Sequence, residues 1–250
     1  MINKKELYEE DIKRIYINPT IDIAGWEPKK QVRQEIYFTA GRIIIHGKTI
    51  KRGKAKKADY ILYFKSDIPL AIVEAKDNKH SIGDGMQQGL EYAEILDLPF
   101  IFSSNGDGFV FHDRTKGTEK EISLSKFPTP EELWVKYKKF KGITKEEEEK
   151  IITSDYYFEP GFKEPRYYQR VAINRAVEAI AKGQKRNLLV MATGTGKTYT
   201  AFQIIYRLKK AKKVDRVLYL ADRNILVNQP ISNDFKPFSK IITKVSNRKA

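Results

Sequence analysis

The chain has 250 residues, no cysteine and only three histidines, and its formal net charge is +15. This length suffices for one large or two modest domains, and the missing cysteines exclude disulfides and cysteine-ligated zinc, so a catalytic metal ion would have to rest on carboxylates. The charged N-terminus and the lack of any apolar stretch of about 18 residues argue against a signal peptide and a membrane span, and we expect a cytoplasmic protein without membrane association.

The first predicted element is an amphipathic helix. Apolar residues recur at positions 7, 8, 12, 15 and 16, and we expect the helix to end at Pro19. Strands are predicted at 34–39 and 42–46, around a turn at Gly41. Two further apolar runs, 60–64 and 69–73, are separated by charged residues and a proline, which predicts adjacent strands joined by a turn.

Three charged residues accompany these two adjacent strands. Asp59 directly precedes the first strand, and Glu74 and Lys76 follow the second at a spacing that puts both side chains on one face. If the strands pair, the three side chains meet. Such a set suits Mg²⁺-dependent cleavage of a phosphodiester bond, because Mg²⁺ prefers hard carboxylate oxygens. The alternative is a solvated ion pair, since Glu-x-Lys is a common pattern on exposed strands.

A helix is predicted at 86–96, after a glycine-rich turn. Gln88 and Tyr92 lie one turn apart on one face of it, where they can cover the metal site or meet a DNA backbone. The alternative is that both are ordinary surface residues. Strands at 100–103 and 109–112, joined by a hairpin turn, and a helix at 131–137 complete the first part of the chain. These elements predict an α/β nuclease core.

Two prolines in the segment 156–165 mark a domain boundary. We therefore expect a first domain at 1–150, a linker at 151–165 and a second domain at 166–250. Residues 1–150 carry a net charge of +2 and residues 151–250 carry +13, which predicts a polyanionic partner. A basic run between Lys48 and Lys57 precedes Asp59, and phosphate attraction competes there with the alternative of a solvated loop.

The second domain contains a phosphate-binding pattern. An apolar run at 187–191 predicts a strand, and a helix is predicted at 201–208. Between them, the glycines let the backbone N–H groups surround phosphates, and the lysine can reach the terminal phosphates of a nucleotide. Met191 stands where the simplest form of this motif has its first glycine. The predicted nucleotide-binding residues of this loop are Thr193, Gly194, Thr195, Gly196, Lys197 and Thr198.

A second parallel strand is predicted at 216–220, followed by a helix at 225–229 that ends before Pro230. No acidic pair of the Walker B type follows before Ala250. We therefore expect the chain to be a fragment of a longer protein.

The motifs of the first domain together resemble the N-terminal nuclease domain of the restriction subunit of type I restriction-modification enzymes. Residues 57–60, 73–77, 85–88 with Tyr92, and 102–106 carry this resemblance. It implies a PD-(D/E)xK nuclease in which Asp59 and Glu74 hold Mg²⁺ and Lys76 assists the attacking water. Gln88 and Tyr92 would form the additional Q-x-x-x-Y element of that family. Ala58 departs from the family pattern, which usually has a proline before the first acid.

The second domain resembles the start of a superfamily 2 helicase-like motor, which implies a RecA-like fold. Gln169 stands before a helix as the adenine-recognising glutamine of that superfamily does, and the loop at 192–198 is similar to its motif I. The resemblance implies that Gln169 and the loop bind ATP and that Thr198 ligates Mg²⁺. The segment 220–223 is similar to motif Ia, which contacts DNA, although an ordinary ion pair of Asp222 with Arg223 is the alternative.

The resemblance implies ATP-dependent translocation and endonucleolytic cleavage of double-stranded DNA, in defence against foreign DNA. Recognition and methylation would belong to methyltransferase and specificity subunits of the same complex. One alternative is a DNA repair helicase or another superfamily 2 helicase whose nuclease-like module only grips DNA. Another is an ATP-binding regulatory module with a structural α/β domain and no role on DNA.

Overall fold

The computed structural model describes residues 3–39, 43–46, 49–52, 55–65, 67–161 and 163–245. The chain forms two compact units that divide between Lys145 and Glu146. The first unit is a mixed α/β structure built on a six-stranded sheet. The described part of the second unit consists of helices and irregular segments.

The N-terminal helical run is longer than predicted. A 3-10 turn (Lys4–Glu6) precedes α1 (Glu9–Ile12), which continues through a π-helical turn (Lys13–Ile17) into α2 (Asn18–Ile23). The prediction that Pro19 ends the helix is therefore wrong. Pro19 lies in the first turn of α2, directly after the wider π-helical turn, where the missing N–H of a proline is tolerated. Ile12, Ile17 and Ile21 from this run are buried in the core.

A short helix α3 (Pro28–Gln31) leads into the sheet. Its strands, in spatial order, are β1 (Val32–Thr39), β4 (Ala55–Tyr63), β5 (Pro69–Ala75), β6 (Phe100–Ser104), β7 (Gly108–Asp113) and β8 (Thr118–Ser123). Only β5 and β6 pair in parallel, and the other neighbours are antiparallel. The strands β2 (Ile43–His46) and β3 (Thr49–Arg52) form a separate hairpin. The predicted adjacency of the strands at 60–64 and 69–73 is confirmed.

Two features of this sheet were not predicted. The strand β1 pairs with β4 rather than with β2, and the turn predicted at Gly41 lies outside the described residues. The edge strand β8, which is mostly exposed, has the charged composition of a loop. Both differences arise because pairing partners, which local sequence patterns do not reveal, decide where a strand forms.

The helix α4 (Met86–Leu96) connects the parallel strands β5 and β6, as such a pair requires. The helix α5 (Pro130–Lys141) begins with a capping box between Thr129 and Glu132. Trp134 of α5 stacks on Phe64 with their ring centroids 4.4 Å apart. Phe100 and Phe102 of β6 are fully buried. The strand β5, which carries Glu74, therefore pairs with a strand whose aromatic side chains are buried in the core.

The second unit contains α6 (Glu146–Ile152), α7 (Tyr167–Ala181), α8 (Lys197–Lys210) and α9 (Ile225–Ser232). Arg207 of α8 is almost fully buried and donates to the carbonyl oxygens of Ile152 and Ser154 at 2.5 and 2.9 Å. These hydrogen bonds therefore connect α8 to the end of α6 and the segment that follows it. The helix α9 continues past Pro230, which was expected to follow its end.

The strands predicted at 187–191 and 216–220 do not form, and this prediction is wrong for the structure described. Apolar side chains of both runs are largely exposed: Leu188 by 88%, Val190 by 87%, Leu218 by 72% and Leu220 by 80%. A strand needs a neighbouring backbone to satisfy its N–H and C=O groups, and the described residues of the second unit contain no other strand. Nowhere in the described ranges is a helix long and apolar enough to cross a membrane.

Candidate active site

The first unit brings Asp59 and Glu74 side by side. The antiparallel register of β4 and β5 pairs Tyr60 with Val73, so the two acids occupy the next opposing positions. The backbone N–H of Ala75 donates to Oδ2 of Asp59 at 2.9 Å, which ties this carboxylate to the neighbouring strand. Asp59 is 6% exposed and Glu74 is 0% exposed. Such burial does not fit the solvated ion pair of an exposed strand.

Glu74 lies beneath α4, which approaches it closely because two glycines face the strand. A Cβ atom at Gly85 would lie 3.0 Å from Cβ of Glu74, and one at Gly89 would lie 3.4 Å from its Cγ. Nε2 of Gln88 donates to Oε2 of Glu74 at 2.7 Å. Oε1 of Glu74 is buried and accepts no hydrogen bond from any described residue.

The protonation of Glu74 follows from this environment. Burial, and next the negative charge of Asp59, raise the pKa of Glu74 from an ordinary value of 4.5 to about 9, although the positive charge of Lys76 acts in the opposite direction. At neutral pH, Glu74 therefore carries a proton in the metal-free protein. A divalent cation beside its free oxygen would favour the ionised form.

Lys76, Gln88 and Tyr92 complete the predicted group. Lys76 directly follows β5, and its Nζ lies 3.4 Å from Oε1 of Gln88. Gln88 thus bridges Lys76 and Glu74 through the two ends of its amide. Burial raises the pKa of Tyr92, while a side-chain hydrogen bond with Gln88 acts against this shift. The ring of Tyr92 meets Phe38 edge-on, with centroids 5.0 Å apart. The structure therefore brings all five predicted residues of the first site together.

A sixth residue, Lys13, was not predicted. Its Nζ lies 2.7 Å from Oδ1 of Asp59, 3.0 Å from Glu10, 3.1 Å from Glu35 and 3.2 Å from Glu9. Burial alone would lower the pKa of Lys13, but its hydrogen bonds, first of all with Asp59, outweigh burial and raise the pKa. The helical pattern of the N-terminal segment contained no signal that distinguished Lys13 from its exposed neighbours.

The two acids fit a Mg²⁺ ion. A buried carboxylate oxygen without a partner is unfavourable, and a cation at Oε1 of Glu74 would satisfy it. Asp59 and Glu74 would hold the ion with hard oxygen atoms, as Mg²⁺ prefers. Over the described ranges, no group of three or more His, Cys, Asp or Glu side chains is arranged to bind a metal ion. Water, phosphate or backbone oxygens would therefore complete the coordination.

The basic run before Asp59 is described only in part. Lys56 pairs with Glu91 of α4, and Lys57 pairs with Glu35. Lys48 and Lys54 lie outside the described residues. The two described lysine side chains of this run are thus engaged with acids of the first unit.

In the second unit, the predicted loop adopts a conformation that requires glycine. Gly194 and Gly196 have φ angles of 77° and 84°, and α8 begins at Lys197. Nζ of Lys197 lies 3.3 Å from the carbonyl oxygen of Met191, across the loop. Thr193 is exposed in the turn, and Thr198 lies in the first turn of α8. The loop and the helix N-terminus can therefore face an anion.

Gln169 lies against this loop. Its Nε2 donates to the carbonyl oxygen of Thr195 at 2.8 Å, and its Oε1 accepts from the backbone N–H of Arg166. The structure therefore joins the predicted glutamine element and the loop in one place. Asp222 and Arg223 form an exposed ion pair at 3.8 Å, which is the simpler of the two predicted alternatives.

Two family models match the chain. Residues 43–120 match the model of the type I restriction enzyme R protein N terminus, and residues 162–249 match that of the type III restriction enzyme res subunit. The first match includes Asp59, Glu74, Lys76, Gln88 and Tyr92, and the second includes the glycine loop.

Known proteins resemble the chain over most of its length. The type I restriction enzyme EcoAI endonuclease subunit of Escherichia coli is 53% identical over 99% of this chain and 31% of its own length. The EcoKI endonuclease subunit of Escherichia coli strain K12 is 26% identical over 89% of this chain and 23% of its own length. A solved fragment assigned as an HsdR subunit of a type I restriction enzyme from Vibrio vulnificus YJ016 is 43% identical, with a TM-score of 0.71. That match covers 82% of this chain and 39% of the fragment.

These matches place the chain among the subunits of restriction enzymes. It belongs, more narrowly, to the family of R (endonuclease) subunits of type I restriction enzymes, and it matches their N-terminal part. The chain spans 31% and 23% of the lengths of its two curated relatives.

Proposed function

We propose that this chain supplies the nuclease and the start of the ATP-driven motor of a type I restriction enzyme. Residues 1–150 form a PD-(D/E)xK nuclease, residues 151–165 a linker, and residues 166–250 the first part of a RecA-like domain, with α6 belonging to the second compact unit. The complex translocates and cuts double-stranded DNA. Methyltransferase and specificity subunits are its partners.

One observation carries the proposal of a nuclease. Asp59 and Glu74 oppose each other on buried strands, and Oε1 of Glu74 accepts no hydrogen bond from the described residues. When bound there, Mg²⁺ supplies positive charge that stabilises the phosphate in the transition state. Gln88 fixes the rotamer of Glu74 through the hydrogen bond to Oε2. Lys76, held beside the same amide, donates to the attacking water or to a phosphate oxygen.

The arrangement of the loop supports ATP binding in the second unit. The left-handed glycines and the N-terminus of α8 would accommodate phosphates, and Lys197, which now contacts the Met191 carbonyl, would hold the terminal phosphates of a nucleotide. Thr198 would ligate the Mg²⁺ that accompanies ATP, and Gln169 would contact the adenine. The family resemblance supplies these last two roles, and the position of Gln169 against the loop supports its role.

The test separates the two sites in the assembled restriction complex. Glu74→Gln and Lys76→Met should each abolish linearisation of a supercoiled plasmid and leave ATP turnover intact, because neither residue lies in the unit that carries the loop. Exposed neighbours provide matched controls, and we expect Glu94→Gln on α4 and Lys79→Met to cleave normally. Undiminished cleavage by Glu74→Gln would refute the nuclease site. A wild-type complex that translocates without cutting would favour a module that only grips DNA.

A further inference from the structure

The ammonium group of Lys13 is enclosed by acids and lies next to the proposed metal ligands. Lys13 is 5% exposed, and its Nζ is shared by Asp59, Glu9, Glu10 and Glu35. The contact with Asp59 is the shortest of the four, at 2.7 Å. One carboxylate oxygen of Asp59 therefore accepts a hydrogen bond from the Ala75 N–H, and the other accepts one from Lys13.

The backbone is irregular both at this lysine and at its partner Glu35. Lys13 is the first residue of the π-helical turn Lys13–Ile17, and such turns often occur at functional sites. Glu35 occupies the position of β1 that faces Asp59 in the register, and its φ angle of 55° lies in the left-handed region, which is unfavourable for a glutamate. Two local departures from regular structure thus occur at Lys13 and Glu35, which pair with each other next to Asp59.

We propose that Lys13 is a positioning residue for the metal site. It is a resident cation that holds the carboxylate of Asp59 in place while no metal ion is bound. When a divalent ion binds, Lys13 breaks its contact with Oδ1 of Asp59 and remains bound to the other three acids. This inference rests on the proposed function, because it takes Asp59 to be a metal ligand.

The remaining contacts make this exchange possible at small cost. The ammonium group stays paired with acids after it leaves Asp59, because Glu9, Glu10 and Glu35 already lie within 3.2 Å of Nζ. Asp59 keeps its orientation through the Ala75 N–H. Lys13 therefore competes electrostatically with the metal ion. When no metal ion is bound, it holds the carboxylate of Asp59 in its orientation.

This dual role predicts a signature that a merely structural role would not produce. In the nucleotide-free R subunit, Lys13→Met should bind Ca²⁺ about tenfold more tightly by calorimetry, because a positive charge next to the site has been removed. In the assembled complex, half-maximal cleavage by this variant should need about tenfold less Mg²⁺ than wild type, for the same reason. Lys13→Arg, which keeps the charge, should restore the wild-type Ca²⁺ affinity.

Two further variants guard against misfolding and non-specific charge effects. Glu35→Gln removes one of the alternative partners, so Lys13 should stay on Asp59 and Ca²⁺ should bind a few-fold more weakly. This weakening should be smaller in the Lys13→Met background, where only the lost charge of Glu35 still acts. Arg14→Met, the matched control, removes a charge from an exposed neighbour that pairs with Asp11, and it should change neither affinity nor cleavage.

The outcomes separate the two proposals. If wild type and Asp59→Asn bind Ca²⁺ alike, the metal site itself is refuted. If wild type binds Ca²⁺ through Asp59 and Lys13→Met shows unchanged or weaker binding, only the role of Lys13 is refuted. An effect of Glu35→Gln that is equally large without Lys13 would also overturn that role.

Discussion

The proton on Glu74 leads to a prediction about stability. In the folded metal-free protein, burial and the charge of Asp59 raise the pKa of Glu74 to about 9, whereas the ordinary value is 4.5. Between these two values the unfolded chain has lost the proton and the folded chain still holds it. Rising pH therefore favours unfolding in this window. The variant Glu74→Gln keeps the shape of the side chain and cannot ionise.

The magnitude follows from the same shift. Each pH unit inside the window lowers the free energy of unfolding of wild type, relative to Glu74→Gln, by at most about 1.4 kcal/mol. From about pH 6 to about pH 8 the difference should shift in favour of the variant by up to about 3 kcal/mol. The oxygen of the introduced amide can accept from Gln88, as Oε2 of Glu74 does.

The assay is denaturant unfolding of the R subunit in EDTA at several pH values, followed by a probe in the first unit. Glu94→Gln, an exposed residue of α4, is the control and should track wild type. Saturating Ca²⁺ should stabilise wild type and leave Glu74→Gln unchanged, because only the carboxylate gains a ligand. A difference between wild type and Glu74→Gln that does not vary with pH would show that Glu74 is not protonated in the folded protein.

Two glycines provide further predictions. A Cβ atom at Gly89 would lie 2.6 Å from a buried side chain of β6. Gly89→Ala should therefore displace α4, lower the free energy of unfolding by about 1–3 kcal/mol and slow cleavage. Gly83→Ala is the control and should have none of these effects, because a Cβ atom there meets only an ordinary contact at 3.7 Å. A Cβ atom at Gly196 would lie 2.3 Å from Nε2 of Gln169, so Gly196→Ala should weaken the binding of a fluorescent ATP analogue by about tenfold or more. Gly183→Ala has a similar positive φ without a close contact, and equal losses of ATP binding in the two variants would contradict this explanation.

The acids of the first site could be predicted from sequence because each lies beside a strongly apolar strand. The pattern around Asp59 and Glu74 specified two neighbouring strands, and antiparallel pairing then set the acids opposite each other. Helical spacing placed Gln88 and Tyr92 on one face of the helix, and the family resemblance implied their role at the site. Local patterns sufficed here, since strand, turn and helix were adjacent along the chain.

Lys13 could not be predicted as part of the site, because Asp59 and Glu35, the partners that place it there, are distant in sequence. Asp59 is 46 residues away, and Glu35 reaches the lysine through a φ angle that no local pattern indicates. The strands predicted at 187–191 and 216–220 failed for a related reason. Apolar runs become strands only beside another strand, and the second unit contains none among its described residues.

Metal binding at the paired acids underlies the proposed nuclease, and Mn²⁺ soaked into crystals of the R subunit is its decisive test. We predict an anomalous peak at roughly 2.0–2.2 Å from a carboxylate oxygen of Asp59 and from Oε1 of Glu74, with Lys13 withdrawn from Asp59. The peak should be absent from crystals of Glu74→Gln. A Mn²⁺ ion bound elsewhere in the first unit, with Oε1 of Glu74 still unliganded, would contradict a metal site at these acids.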